Sequence, residues 1–323
     1  MLSAEQILAD IKTDRVKKVI IDGDFSAECD DQLTLAYALG NDKLEVMGVC
    51  ASAHYDDKYI DTYSTLIRSC SELLKLLHAS GIDKDSFPWF MGSESQITNN
   101  ENFAPTDSPA ARHIIKVAKE AEDGDIIYVI TTGPCSSVVS AYLMEPSIAD
   151  KICVVWLGGT DINQRSMENE FHEWNMCADF VASQILLSSD IPLLMLHAGH
   201  NGSGNILLDF EDFKKFGNAW DGPWVEQYYS RVLPQTCSVV IECYYPGWKK
   251  VMCDYAGVAA LSVPDAMELT IIPAPTLTDD HKYALDPNNK KIIWGEGHVS
   301  DIITEDAIKC TQKLIERAKN KQN

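Results

Sequence analysis

Short runs of consecutive apolar residues alternate along this chain with longer stretches whose apolar positions return every three or four residues. The first kind reads as buried strands and the second as amphipathic helices. KVIID (18–22) is such a strand, and DDQLTLAYAL (30–39) follows with Leu33, Ala36, Tyr37 and Leu39 at helical spacing. LEVMGVCAS (44–52), DIIYVIT (125–131), KICVVWLGG (151–159) and IPLLMLH (191–197) read as further strands. Helices are expected at 59–80, 108–121, 135–144 and 178–189, after a first one that Ser3 caps and that runs to about Asp14. Beyond residue 200 the pattern weakens. It places helices near 209–217, 222–234, 253–263 and 300–319, and strands near 268–273 and 290–295.

Strands that are apolar throughout, each followed by a helix, imply parallel βαβ units in a sheet covered on both faces. The expected fold is therefore α/β, a mostly parallel open central sheet flanked by helices. No repeat, low-complexity tract or linker divides the chain, so residues 1–323 are expected to form one domain. On such sheets ligands sit at the carboxyl ends of the strands. Asp22 to Asp31, Thr131 to Gly133 and Gly158 to Asp161 all fall there.

Composition narrows the classes. The 46% hydrophobic and 23% charged content is that of a globular protein with a sizeable core. A formal net charge of −21 excludes a phosphate-backbone partner, which needs a basic footprint. The ten cysteines form no CxxC pair, and several sit in apolar runs as small hydrophobes, a usage that fits a reducing cytoplasm. No signal-peptide core and no membrane-length apolar stretch is present, so a soluble cytoplasmic protein is expected.

The chemistry concentrates in DGDFSAECDD (22–31), where Asp22, Asp24, Asp30 and Asp31 crowd a strand end and the next helix start. Like charges held that close repel, and burying them unpaired is prohibitive, so a cation is the simplest explanation. Hard carboxylate oxygens point to Ca²⁺ or Mg²⁺. The bland alternative is a solvated loop with Asp30 as helix N-cap.

Five segments in the same order resemble the inosine–uridine-preferring nucleoside hydrolases. They are the strand–DGDFSAECDD–helix unit, TTGPCSSVVSAYLMEP (131–146), VVWLGGT (154–160), EWNMCADFVASQIL (173–186) and CDYAGVAALSVPD (253–265). The resemblance implies hydrolysis of the N-glycosidic bond of a nucleoside or related N-riboside. It implies a Ca²⁺ held by Asp24, Asp31, Asp254 and the backbone carbonyl of Thr132, with Asp24 as proton acceptor. Asp30 would grip the ribose hydroxyls, and Glu173 and Asn175 the rest of the sugar. A homodimer or tetramer follows by the same analogy. The base-side residues depart from the family pattern. Cys253 stands where purine-cleaving members often carry a His, and ASAHYDDKY (51–59) offers His54, Tyr55 or Asp56 where they carry an Asn. Asn163 and Asn169 are candidates for another Asn, and HAGHNG (197–202) replaces the usual Leu-Asp-Val-Thr.

His54 is the first candidate for a replacement acid and His281 the next, while a structural role is the ordinary reading for both and for His172, His197 and His200. Tyr244, Tyr245 and Trp248 read as packing residues that can also stack on a base. Two alternatives come from other classes. One is a haloacid-dehalogenase-type phosphohydrolase, in which an Asp-x-Asp after a strand supplies nucleophile and acid. The other is a catalytically inactive relative that binds metal and a ribosyl ligand, which Cys253 keeps open.

Overall fold

A computed structural model describes residues 2–54, 61–162, 173–199, 201–209, 212 and 249–322. Its centre is an eight-stranded sheet ordered β3-β2-β1-β4-β5-β6-β12-β9. The strands are β1 (Lys17–Gly23), β2 (Leu44–Ala51), β3 (Trp89–Met91), β4 (Ile127–Thr131), β5 (Ile152–Leu157), β6 (Leu193–Leu196), β9 (Glu268–Pro273) and β12 (Lys291–Glu296). Every pairing is parallel except that of β9 with β12 at one edge. The α/β architecture expected from the pattern is the one observed.

Successive residues of a strand point to opposite faces. Val19 and Ile21 of β1 and Tyr128 and Ile130 of β4 enter one core. The helices Asp30–Gly40, Thr62–Ala79, Tyr255–Ser262 and Ser300–Gln322 cover that face. Ile20, Ile127 and Val129 enter the other core, against Pro109–Glu120, Ser136–Met144 and Phe180–Ser188. Asp30–Gly40 is buried at every position but Leu39, packed between the sheet and the C-terminal helix.

Several boundaries differ from the sequence reading. The first helix ends at Ile11 rather than near Asp14, because the Lys17 ammonium binds the Asp10 and Thr13 carbonyls and closes it. The helix expected at 178–189 begins at Phe180, after a separate turn Trp174–Ala178. Asp179 causes the break: its carboxylate accepts from the Ile97 and Thr98 amides, from Ser136 and from Ala182 N. Asp209, where the helix expected at 209–217 would begin, instead closes strand β7 (Leu207–Asp209), antiparallel to β8 (Lys249–Val251). A second small ribbon pairs β10 (Thr276–Leu277) with β11 (Tyr283–Ala284). The rest of that expected helix apart from residue 212, and all of 222–234, lie outside the described residues. So do Tyr55, Asp56, Asn163, Asn169, His172, His200, Cys237, Cys243, Tyr244, Tyr245 and Trp248. The eight cysteines among the described residues form no disulfide with one another. No helix among them is long and apolar enough to cross a membrane.

Candidate functional site

Strand β1 is flanked by β2 on one side and β4 on the other, so the chain winds away in both directions from the β1/β4 boundary. Connections on the two sides leave a crevice at the carboxyl ends of such strands. Asp22 and Gly23 close β1, and the ladder runs on through Thr132 N to Asp22 O at 2.9 Å. The crevice is thus walled by residues 22–31 and 131–134, and the helix Tyr255–Ser262 brings Asp254 to it.

Five carboxylates lie there, buried to 5% exposure or less: Asp22, Asp24, Asp30, Asp31 and Asp254. Oxygens of Asp30, Asp31 and Asp254 fall within 4.8 Å of one another. Thr132 Oγ1 donates to Asp31 Oδ1 at 2.7 Å. Asp24 hydrogen-bonds side chain to side chain with Asp31, while its Oδ2 is buried without a partner. Asp22 accepts from Ser52 Oγ and has its own Oδ2 unpartnered. Two glycines make room. A Cβ at Gly23 would sit 2.8 Å from Thr132 Oγ1 and 2.9 Å from Asp31 Oδ1, and one at Gly133 would sit 2.9 Å from Asp24 Cγ.

The electrostatics follow from burial and crowding. Burial pushes Asp22 up to about 7, partly offset by Ser52. Burial pushes Asp24 up to about 8, offset by its hydrogen bond to Asp31 and reinforced by the charge of Asp30. Asp31 and Asp254 are held well above the carboxylate range, by burial first and then by their acidic neighbours. Asp30 rises less, to about 6, because the Lys250 ammonium works against burial there. Without a cation the cluster keeps protons at neutral pH. Buried donor oxygens, two of them unpartnered, are what a hard divalent cation requires.

The helix that follows the cluster begins at Asp30, and the N-cap residue is Cys29, which makes no side-chain cap. Asp30 is therefore not the N-cap of the bland alternative. Glu173 and Asn175 do come to the crevice. Asn175 Nδ2 donates to Thr132 O at 2.7 Å and to Leu157 O at 3.1 Å, tying the ends of β4 and β5 together. Glu173 is buried and accepts from the amides of Gly159, Asn175 and Met176 at 2.6, 2.9 and 2.8 Å, capping the short helix that follows. Its carboxyl is raised by burial, with these amides pulling the other way.

On the remaining side, Cys253 precedes Asp254, its thiol pushed up to about 12 by burial and by the charge of Asp30. His54 is buried beside the acidic loop, its Nδ1 3.5 Å from Ser26 Oγ, and its carbonyl accepts from Thr65. His281 stacks on Phe180 at 4.1 Å and lies 3.6 Å from Cys177 Sγ. His197 is fully buried and stacks on Trp294 at 4.8 Å. The sequence reading passed over Lys250 and Glu28, which form an ion pair at the edge of the cluster. Nothing in the spacing of KKVMCD (249–254) marks one lysine as buried and the other as exposed.

An open, mostly parallel sheet with buried carboxylate donors at its switch point defines an α/β protein whose site can hold a hard cation. Within that class the chain belongs to the inosine-uridine preferring nucleoside hydrolase family, whose model matches residues 19–308. Solved structures of similar fold include a plant nucleoside hydrolase, 18% identical, covering 92% of this chain and 99% of that one, with a TM-score of 0.70. The purine-preferring ribonucleoside hydrolase from Gardnerella vaginalis is also 18% identical, covering 93% and 99%, with a TM-score of 0.70. The inosine-uridine preferring nucleoside hydrolase from Bacillus anthracis is 16% identical, covering 92% and 99%, with a TM-score of 0.63. At these identities the likeness is one of fold. No curated protein sequence matches the chain.

Proposed function

We propose that the protein hydrolyses the N-glycosidic bond of a ribonucleoside or related N-riboside, releasing base and ribose, with Ca²⁺ at the buried carboxylates. The observation that carries this reading is the buried triad Asp30, Asp31 and Asp254, with Asp24 hydrogen-bonded to Asp31, at the sheet's switch point in a chain of this family. The names of the similar structures, nucleoside hydrolases throughout, support the substrate class.

Asp24, Asp31, Asp254 and the Thr132 carbonyl would hold the cation. When bound, it gathers the ribose hydroxyls and makes a water more acidic. Asp24 Oδ2, buried and unpartnered, is the oxygen that accepts the proton of the attacking water. Asp30, the most readily ionised member of the coupled cluster, accepts from the ribose hydroxyls. The anionic wall also stabilises the positive charge that builds on the sugar as the bond to the base lengthens. Asn175 spends its NH₂ on the Thr132 and Leu157 carbonyls, which leaves Oδ1 to accept from the sugar. Glu173 keeps Asn175 in place through the amide it caps, and has lone pairs left for the sugar.

His54, Asn169 and Cys253 are assigned to the base side. Cys253 contacts the base without protonating it, since its thiol stays neutral far above physiological pH. That same observation favours a second reading, in which the protein binds cation and riboside but turns over slowly or not at all. We place residues 1–323 in one domain that assembles as a homodimer or tetramer. A panel of ribonucleosides incubated with and without added Ca²⁺ separates the two readings. Free base appears in the first case. In the second, ligand raises the melting temperature without base release.

A further inference from the structure

Two clasps hold the turn that carries Glu173 and Asn175. Glu173 is one: its carboxylate joins the Gly159 amide, after β5, to the Met176 amide. Tyr283 is the other, and it comes from the small ribbon β10–β11. Its Oη accepts from Thr160 N at 3.3 Å and donates to Met176 Sδ at 3.6 Å, so it bridges the same two segments. Burial raises the phenol further, which keeps it protonated and able to donate. The close approach depends on a glycine. Gly159 sits at φ +77°, and a Cβ there would overlap Tyr283 Oη. The ribbon itself is anchored on the helix Phe180–Ser188, where Gln184 Nε2 donates to Leu277 O at 3.1 Å and His281 stacks on Phe180.

We propose that Tyr283 is a positioning residue for sugar binding, fixing the Gly159–Thr160 loop against Met176 so that the Glu173 carboxylate and Asn175 Oδ1 are held ready for the ribose. The inference rests on reading Glu173 and Asn175 as the sugar-binding pair. A binding group is only as well placed as the residues that lock it. Without the phenol hydroxyl, Glu173 alone keeps the two segments together. Its amide partners at Gly159 and Met176 then gain freedom, and the lone pairs it turns to the sugar move with them. Glu173 and Asn175 grip the sugar rather than the attacking water, so the loss falls on binding common to substrate and transition state. Such a loss raises KM and leaves kcat in place.

Tyr283→Phe removes the hydroxyl and keeps the ring. In the full chain at saturating CaCl₂, with inosine and uridine as probes, KM is expected to rise about fivefold while kcat stays within about twofold of wild type. Where base release is too slow to follow, the Kd read from nucleoside-induced thermal stabilisation carries the same shift. Tyr128→Phe is the stability control: it loses a hydroxyl bonded to Asp10, away from the crevice, and keeps the wild-type KM. In a Glu173→Gln background, Tyr283→Phe should add less than about twofold, because the hydroxyl acts through that carboxylate. An unchanged KM in Tyr283→Phe, an equal shift in Tyr128→Phe, or a full fivefold shift on top of Glu173→Gln overturns the proposal. Should Glu173→Gln not fold, the comparison of Tyr283→Phe with Tyr128→Phe decides alone. If the wild type neither cleaves nor binds either nucleoside, the functional reading falls and this inference falls with it. If the wild type does so and Tyr283→Phe matches it, only the inference falls.

Discussion

Filling the carboxylate cluster with a cation should expel protons, and their number can be worked from the structure. Burial and mutual repulsion hold Asp24 up to about 8 and Asp31 and Asp254 well above the usual carboxylate range. At pH 7 the cation-free site therefore keeps most of the protons on these three coupled groups. A divalent cation requires them as carboxylates, so binding should release about two to three protons per ion. Calorimetric titration with CaCl₂ in two buffers of different ionisation enthalpy reads this number as a slope. The apparent Kd should fall by about two orders of magnitude per pH unit between pH 6 and 7. The same groups set the cation-free stability. Their folded pKa values lie above the unfolded ones; Asp24's contribution is fully present below about pH 4 and is lost as pH rises through about 8, and Asp31 and Asp254 act in the same direction. For Asp24 alone the loss is on the order of 5 kcal/mol, which Ca²⁺ should restore. A slope near zero, or a Kd flat across this range, would mean that the cation does not displace protons from these carboxylates.

Three further outcomes follow from single side chains. Asp24→Asn removes the proton acceptor and should lower turnover by about a thousandfold or more while the circular dichroism spectrum is unchanged; activity within a few-fold of wild type sinks that role. Glu173→Ala strips the acceptor from three buried amides and should cost about 2–4 kcal/mol in urea denaturation, against a negligible effect if the carboxylate were merely a surface group. His298 is buried with both ring nitrogens unpartnered, and burial with nearby His197 lowers it to about 4. Its stabilising contribution is present above about pH 6.5 and lost as pH falls through about 4. His298→Leu should therefore flatten the acid limb of the urea midpoint by about 3 kcal/mol, and an unchanged limb contradicts the assignment.

The parallel strands were legible because strands buried on both faces read as unbroken apolar runs, as in KVIID and DIIYVIT. The strand Trp89–Met91 and the ribbons β7–β8 and β10–β11 escaped notice because two or three residues carry no measurable period. Asp179 was hidden inside an apparent helix, since its function is to satisfy the Ile97 and Thr98 amides, some eighty residues away in sequence. The carboxylates stood out in the chain because acids at a strand end and a helix start conflict with burial. Glu28 and Lys250 did not, because on paper they are ordinary charges and only the fold buries one against the cluster. Glu173 stood out in the chain only through its spacing to Asn175 and Asp179, and its three amide partners depend on the backbone path around Gly159.

The proposed role of these carboxylates is to hold a cation in order to break an N-riboside bond. It is tested most directly by titrating Ca²⁺ into chelator-treated protein with a ribonucleoside present, following bound ion, free base and free ribose in one sample. The account predicts base and ribose in equal amounts, rising with occupancy and levelling at one ion per chain. Base release that persists unchanged in chelator, or full occupancy with no release from any ribonucleoside, would contradict it.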